Sequence, residues 1–140
     1  MAKHEIISWD FDGTLYDAAT NSLYAETKAL FDKQNADSDN IMIICTYRSK
    51  SDAKQIDKFF EYPNIVATNG QDKVATLMDK FPFFKIVAHY DDDVFTVNDF
   101  DSTGIRAYFV YDPNDPKSED DLAMLNPRVV KFPIDKTKVV

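Results

Sequence analysis

Five polar residues stand where apolar runs of the sequence stop, and their types suit phosphoryl or metal chemistry. They are Asp10, Asp12, Thr46, Asp91 and Asp92. A carboxylate can act as a nucleophile or as a general acid and base, and a hydroxyl can donate to a phosphoryl oxygen. Adjacent carboxylates also supply the hard oxygen ligands that Mg²⁺ prefers.

The elements that must position these residues alternate between strand and helix. Apolar, β-rich runs predict strands at 5–9, 41–45, 64–67, 84–90 and 105–111. Helical spacing predicts helices from Thr20 to Lys33, from a cap at Ser51-Asp52 to Phe60, over a segment containing Val74 and Phe81, and up to about Phe100. This alternation predicts a three-layer α/β/α sandwich with a mainly parallel, Rossmann-like sheet. In such a sheet the five polar residues gather at the carboxyl edge, where ligands bind.

The segment from Ile6 to Leu15, IISWDFDGTL, resembles the first motif of the haloacid-dehalogenase superfamily. Calcium loops also begin D-x-D-G, but Phe11 and Leu15 do not fit one. The resemblance covers most of residues 5–111 and implies a haloacid-dehalogenase-like fold. It further implies a Mg²⁺-dependent phosphatase in which Asp10 becomes an aspartyl-phosphate, while Asp12 is the general acid and then the base.

The other site residues follow from the same resemblance. Thr46 in ICTYR matches the second motif, whose hydroxyl binds a phosphoryl oxygen. Lys73 best matches the third motif, and Lys80 and Lys85 remain alternatives for the active-site lysine. The fourth motif matches Asp91 and Asp92, which would hold Mg²⁺ with Asp10 and the backbone carbonyl of Asp12. Gly13 would permit the turn beside the phosphate, and Arg48 could bind the phosphate as a bidentate donor.

Each of these residues also has a purely structural interpretation. The first two acids could cap a turn, Thr46 could simply end a strand, and Lys73 could be a solvated lysine. The run Asp91-Asp92-Asp93 could be an acidic cap on a helix. Cys45 near Arg48 is too close to it for a cysteine phosphatase loop and is expected to be buried. His89 is expected to lie in the core.

The spacing of the motifs leaves no room for an inserted cap domain. About 30 residues separate the first motif from the second and the second from the third, which the expected helices and strands use up. The chain thus resembles the capless subclass, whose open sites suit a phosphate group at the end of a large substrate molecule. Locally it resembles the phosphatase domains that remove 3′-phosphates from nucleic-acid ends. A nucleotide or small phosphometabolite is the alternative substrate.

Composition sets further limits on the function. A chain of 140 residues predicts a single domain, with a core at about 5–111 and a C-terminal extension at 112–140. One cysteine, no signal-peptide pattern and no apolar run long enough for a bilayer predict a cytoplasmic protein without a membrane partner. The net charge of −8 argues against a general nucleic-acid coat. A non-catalytic phosphate-binding scaffold and a phosphotransferase remain open, as does the oligomeric state.

Overall fold

The computed structural model describes residues 5–140. Residues 1–4, where the sequence lacks a signal-peptide pattern, lie outside the described residues. The strands are β1 (Glu5–Trp9), β2 (Tyr16–Asp17), β3 (Ser22–Leu23), β4 (Asn40–Thr46), β5 (Ile65–Ala67), β6 (Lys85–Asp91), β7 (Arg106–Tyr111) and β8 (Val130–Pro133). The helices are α1 (Ala25–Asn35), α2 (Lys50–Ala53), α3 (Lys73–Lys80), α4 (Val94–Ser102) and α5 (Ser118–Met124), with a 3₁₀ helix at Lys54–Lys58 after α2.

Six strands form one sheet in the order β5-β4-β1-β6-β7-β8. All five strand pairs in it are parallel, as the alternation of strands and helices predicted. From β1 the chain adds β4 and β5 on one side. It then crosses back and adds β6, β7 and β8 on the other side of β1. This is the strand order of a Rossmann-like sheet, with its switch point between β1 and β6.

Alternate residues of the central strands feed two separate cores, one on each face of the sheet. Ile7 and Trp9 point into a core shared with Phe31 of α1 and Ile56 of the 3₁₀ helix. Ile6 lies in the opposite core, which also contains residues of α3 and α4 such as Leu77, Val97 and Phe100. The mostly parallel sheet is therefore flanked by helices, and the strands are apolar on both sides because both sides are covered.

The predicted helix from Thr20 to Lys33 is wrong at its start. Ser22 and Leu23 pair with Asp17 and Tyr16 in a two-stranded antiparallel hairpin, and α1 begins only at Ala25. The tip of the hairpin is stabilised locally, because Asp17 accepts hydrogen bonds from the Ala19 amide and the Thr20 hydroxyl. Leu23 and Tyr16 are buried by this pairing, which helical spacing alone could not reveal.

The second predicted helix also differs in its cap and its form. The capping side chain is that of Ser49, which accepts from the Asp52 amide, rather than that of Ser51 or Asp52. The helix is α-helical for only four residues and continues as the 3₁₀ turn, with Ile56 buried.

The C-terminal residues complete the sheet. Val130–Pro133 pairs in parallel with β7 as the sixth strand. Val129 and Ile134, on either side of it, are buried in the two cores. Residues 112–140 thus contribute to the same cores as the preceding chain.

Among residues 5–140, every helix is too short or too polar to cross a bilayer.

Candidate functional site

The switch point of the sheet carries the candidate site. Asp10 directly follows β1, Asp91 ends the neighbouring β6, and Thr46 ends β4 on the other side of β1. The Asp10 amide donates to the carbonyl of Tyr90 at 2.9 Å, which ties the ends of β1 and β6 together. Parallel pairing therefore brings side chains that are 81 positions apart in the sequence to one edge of the sheet.

Lys73 is the central cation of this edge. Its Nζ donates to Asp10 Oδ1 at 2.9 Å and to Asp91 Oδ2 at 2.8 Å, and its side chain is completely buried. Burial alone would lower the pKa of Lys73, but Asp91 and Asp10 outweigh it and raise the pKa well above its usual value. The ammonium also lies 4.4 Å from the ring centroid of Tyr47. Lys73 is positioned by α3, which begins at this residue and is capped by the Asp72 side chain.

Asp91 is held on its other side by a buried histidine. Nε2 of His89 lies 2.8 Å from Asp91 Oδ2, and Nδ1 lies 2.9 Å from the hydroxyl of Ser8. Burial lowers the pKa of His89, against the opposing effect of Asp91, and thus favours the neutral ring. A neutral ring that donates from Nε2–H to Asp91 and accepts from the Ser8 hydroxyl at Nδ1 satisfies both contacts. Burial would raise the pKa of Asp91, but Lys73 and the His89 hydrogen bond lower it well below its usual range. Lys73 and His89 therefore favour the ionised form of Asp91.

Asp92 completes an acidic trio with Asp10 and Asp91, whose ligand oxygens all lie within 4.8 Å of one another. The Asp92 carboxylate packs on Gly13, where an added Cβ would lie 2.1 Å from Oδ2. Thr14 donates its hydroxyl to Asp10 Oδ2 at 2.8 Å and lies 3.4 Å from Asp92 Oδ1.

The protein alone supplies too little positive charge to neutralise the acidic trio. Burial and the nearby Asp91 carboxylate raise the pKa of Asp10 well above its usual value, against the opposing effect of Lys73. Burial and Asp91 also raise the pKa of Asp92. Two buried carboxylates and one half-buried carboxylate therefore face one lysine, and a divalent cation would remove this repulsion. The all-oxygen donor set fits Mg²⁺.

Asp12 does not join the trio. Its carboxylate forms a bidentate ion pair with Arg48, in which Nε donates to Oδ2 at 2.8 Å and Nη2 donates to Oδ1 at 2.6 Å. The Asp12 side chain is 47% exposed, whereas that of Arg48 is 18% exposed. The two residues stand beside the cluster around Lys73 and bind each other in this structure.

Thr46 is buried at the end of β4, and its hydroxyl oxygen accepts from the Arg48 amide at 3.2 Å. The hydroxyl proton remains able to donate to a ligand. Next to it, the Thr68 amide donates to the Thr46 carbonyl at 2.8 Å. The Thr68 hydroxyl is buried with no hydrogen-bond partner in the part of the chain that the structure describes.

The structure thus brings Asp10, Lys73, Asp91 and Asp92 together and pairs Asp12 with Arg48 beside them. Of the three candidate lysines, Lys73 makes these contacts, whereas Lys80 and Lys85 are exposed. Sequence reasoning missed two further participants, Thr14 and Ser8. A hydroxyl four residues after Asp10 was a visible signal for Thr14, since a tight turn brings these positions together.

Two other residues lie in the core as the sequence predicted. His89 is completely buried and stacks on Phe100, although it also supports Asp91. Cys45 is buried as well, and burial raises the pKa of its thiol to about 12. Such a thiol is a poor nucleophile, since the thiolate is the reactive form.

Comparison of the chain with protein-family models, with curated proteins and with solved structures found no match.

Proposed function

We propose that the protein is a Mg²⁺-dependent phosphatase that hydrolyses phosphate monoesters through an aspartyl-phosphate on Asp10. The observation that carries the proposal is the buried lysine bridge, in which Lys73 Nζ contacts both Asp10 and Asp91. A carboxylate attacks a phosphoryl dianion only if cations screen the repulsion between them. Lys73 meets that need at the switch point of the sheet, where ligands of such folds bind.

The acidic trio would hold the magnesium ion, and its member Asp92 packs against Gly13. The ion would shield negative charge and orient the phosphoryl group. The under-neutralised trio supports this role, because without a cation its carboxylates repel one another.

The chain's own residues would divide the reaction between two carboxylates. Asp10 attacks phosphorus, so that a new P–O bond forms to its carboxylate while the bond to the ester oxygen breaks. Asp12, in its protonated form, gives that proton to the departing alcohol. It then takes a proton from water, whose oxygen attacks phosphorus and releases inorganic phosphate and free Asp10. Thr46 donates a hydrogen bond from its hydroxyl to a phosphoryl oxygen, and Lys73 favours the ionised form of Asp10 and offsets the charge on the transferring group.

The motifs relate this proposal to the capless haloacid-dehalogenase-like phosphatases. The hairpin and α1 occupy the stretch between β1 and β4, and α2, the 3₁₀ helix and α3 flank β5 between β4 and β6. Within residues 5–140 these elements leave no separate cap domain, which supports the capless assignment. An open site favours a phosphate at the end of a larger molecule, and we propose a nucleic-acid 3′-end as the substrate. A nucleotide or small phosphometabolite is the alternative.

The test is phosphate release from an aryl phosphate, a 3′-phosphorylated oligonucleotide and mononucleotides. Each substrate is assayed with Mg²⁺, with EDTA and with the Asp10→Asn variant, and Asp39→Asn, at an exposed acid, serves as the matched control. We expect release that requires Mg²⁺, disappears in Asp10→Asn and persists in Asp39→Asn. The preferred substrate distinguishes nucleic-acid ends from small phosphate esters.

Three results would contradict the proposal. Release that is equal in Asp10→Asn and in the unchanged protein would show that Asp10 is not the nucleophile. Binding of phosphate without turnover of any substrate would instead favour a phosphate-binding scaffold. A new phosphoester among the products, in place of inorganic phosphate, would identify a phosphotransferase.

A further inference from the structure

The ion pair of Asp12 with Arg48 is at odds with the work proposed for Asp12. Both carboxylate oxygens accept charge-assisted hydrogen bonds from the guanidinium, at 2.8 and 2.6 Å. Both oxygens of a carboxylate held in this way are engaged by the guanidinium rather than by a substrate or a water. Asp12 must therefore leave Arg48 before it can exchange protons with a substrate.

Arg48 is the fixed member of the pair. Its Nη1 donates to the Asp52 carbonyl at 3.1 Å and to Gln55 Oε1 at 2.8 Å. Gln55 is itself anchored, since its amide donates to the Tyr16 hydroxyl at 3.0 Å. The guanidinium also lies over the buried ring of Phe11, 5.1 Å from its centroid.

Asp12 is the movable member. Its side chain is 47% exposed, and Arg48 is the residue that holds it. If the pair opens, the edge of Arg48 that carries Nε and Nη2 stays in place and loses its acceptor. The Arg48 amide donates to the hydroxyl of Thr46 at the end of β4. The Nε and Nη2 donors therefore belong to a residue that lies beside the end of β4, next to Asp10.

We propose that a phosphoryl group replaces the Asp12 carboxylate on Arg48 and that substrate binding thereby frees Asp12 for its acid–base role. The inference rests on the proposed function and adds its regulation. A phosphoryl group presents two oxygens at the spacing that the guanidinium fork recognises, and it carries more charge than a carboxylate. The exchange breaks two hydrogen bonds and forms two. The released Asp12 carboxylate then takes up a proton, from solvent or from a monoanionic phosphoryl group, before it acts as the general acid. In the absence of a phosphoryl group the acid–base residue stays disengaged.

The test uses inorganic phosphate as the probe, with Mg²⁺ and the unchanged full chain. A crystal structure of this complex reports the partner of Arg48 directly and does not depend on turnover. We expect Nε and Nη2 of Arg48 within hydrogen-bond distance of phosphate oxygens, and Asp12 detached. Calorimetry supplies the second measurement. Arg48→Lys keeps the charge but loses the fork, and we expect it to weaken phosphate binding about 10-fold.

Arg128→Lys is the matched control, since Arg128 is an exposed arginine whose nearest carboxylate is Asp101 at 3.8 Å. We expect it to bind phosphate as the unchanged protein does, and thermal melting checks that both variants are folded. Phosphate bound while Arg48 still holds Asp12 would overturn the exchange, and so would an absence of phosphate binding.

The outcomes separate this inference from the proposed function. Turnover through Asp10 with the ion pair intact in the complex would retain the phosphatase and refute the exchange. A detached Asp12 in a protein that releases no phosphate from any substrate would retain the exchange as a phosphate-binding response and refute the phosphatase.

Discussion

Replacement of Gly13 by alanine is expected to weaken Mg²⁺ binding as well as the fold. Gly13 has a φ of +78°, and an added Cβ would lie 2.1 Å from Oδ2 of Asp92 and 2.8 Å from its Cγ. Ordinary contacts of a Cβ begin at 3.4 Å, so the Asp92 carboxylate has to move by about 1 Å or more. Metal–ligand distances tolerate only about 0.2 Å. We therefore expect Mg²⁺ affinity to fall by about 10-fold or more.

Gly104 offers a matched control for this variant. Its φ is +82°, nearly that of Gly13, but nothing lies within 4 Å of an added Cβ. Gly13→Ala and Gly104→Ala therefore share the strain of a left-handed alanine, which costs about 1–2 kcal/mol. In a chain of this size that loss lowers Tm by roughly 3–8 °C in each variant. The displaced carboxylate is specific to Gly13→Ala.

The assay is calorimetric titration of Mg²⁺ into both variants, with Tm measured on the same samples. The expected result is similar melting in both variants and weaker Mg²⁺ binding in Gly13→Ala alone. If both variants bind Mg²⁺ equally well, Asp92 is not a ligand held against Gly13, and the proposed metal site is wrong. If both variants lose binding equally, backbone strain rather than the carboxylate is responsible.

Three further predictions concern the buried charges. Lys73→Met leaves two buried carboxylates without their ion-pair partner. We therefore expect the free energy of unfolding of the metal-free protein in urea to fall by about 3–5 kcal/mol, and phosphate release to be lost. Lys80→Met, the control, should leave both nearly unchanged. Equal stability of the two variants would contradict the bridge. His89→Phe keeps the volume of the ring but removes the hydrogen bond to Asp91 of the acidic trio. We expect Mg²⁺ binding measured by calorimetry to be about 10-fold weaker. Unchanged affinity would refute the role of His89 in positioning Asp91. Because burial raises the pKa of two members of the trio, the folded metal-free protein holds more protons than the unfolded chain, and its stability falls as pH rises above the usual carboxylate range. Mg²⁺ binds the ionised trio, so the increase in Tm that it causes should grow with pH, and an increase that is constant with pH would contradict this.

The strand ends were the most predictable part of the site. An apolar run that stops at a polar residue marks both the end of a buried strand and its position at the carboxyl edge, and that signal located Asp10, Thr46 and Asp91. Parallel pairing then fixes their proximity, because neighbouring parallel strands end at the same edge. The contact of Lys73 with Asp10 and Asp91 follows from the same geometry, since α3 begins at this edge.

Side-chain partnerships were less predictable. Arg48 and Asp12 lie 36 positions apart, and their pairing depends on a guanidinium direction set by Gln55 and the Asp52 carbonyl. Alternation along β6 makes His89 either a core residue or a substrate contact, of which we favour the core. Its contact with Ser8 depends on a register between β1 and β6 that the sequence does not specify.

Two elements of the fold, the hairpin and β8, were predicted wrongly or given no role, because their strands are very short. The hairpin formed by β2 and β3 has only two residues in each strand, too few for any alternation to be visible. β8 pairs in parallel with β7, from which α5 separates it in the sequence. A four-residue strand carries little sequence signal for such a non-local pairing.

Detection of a phosphorylated Asp10 tests the central claim most directly. The protein is mixed with Mg²⁺ and its best substrate, quenched in acid within one turnover and digested for mass spectrometry. We predict the mass of one phosphoryl group on the peptide that contains Asp10, absent with EDTA and absent in Asp10→Asn, with Asp39→Asn labelled like the unchanged protein. Phosphate release in a single turnover without that label, or a label on another residue, would contradict the account.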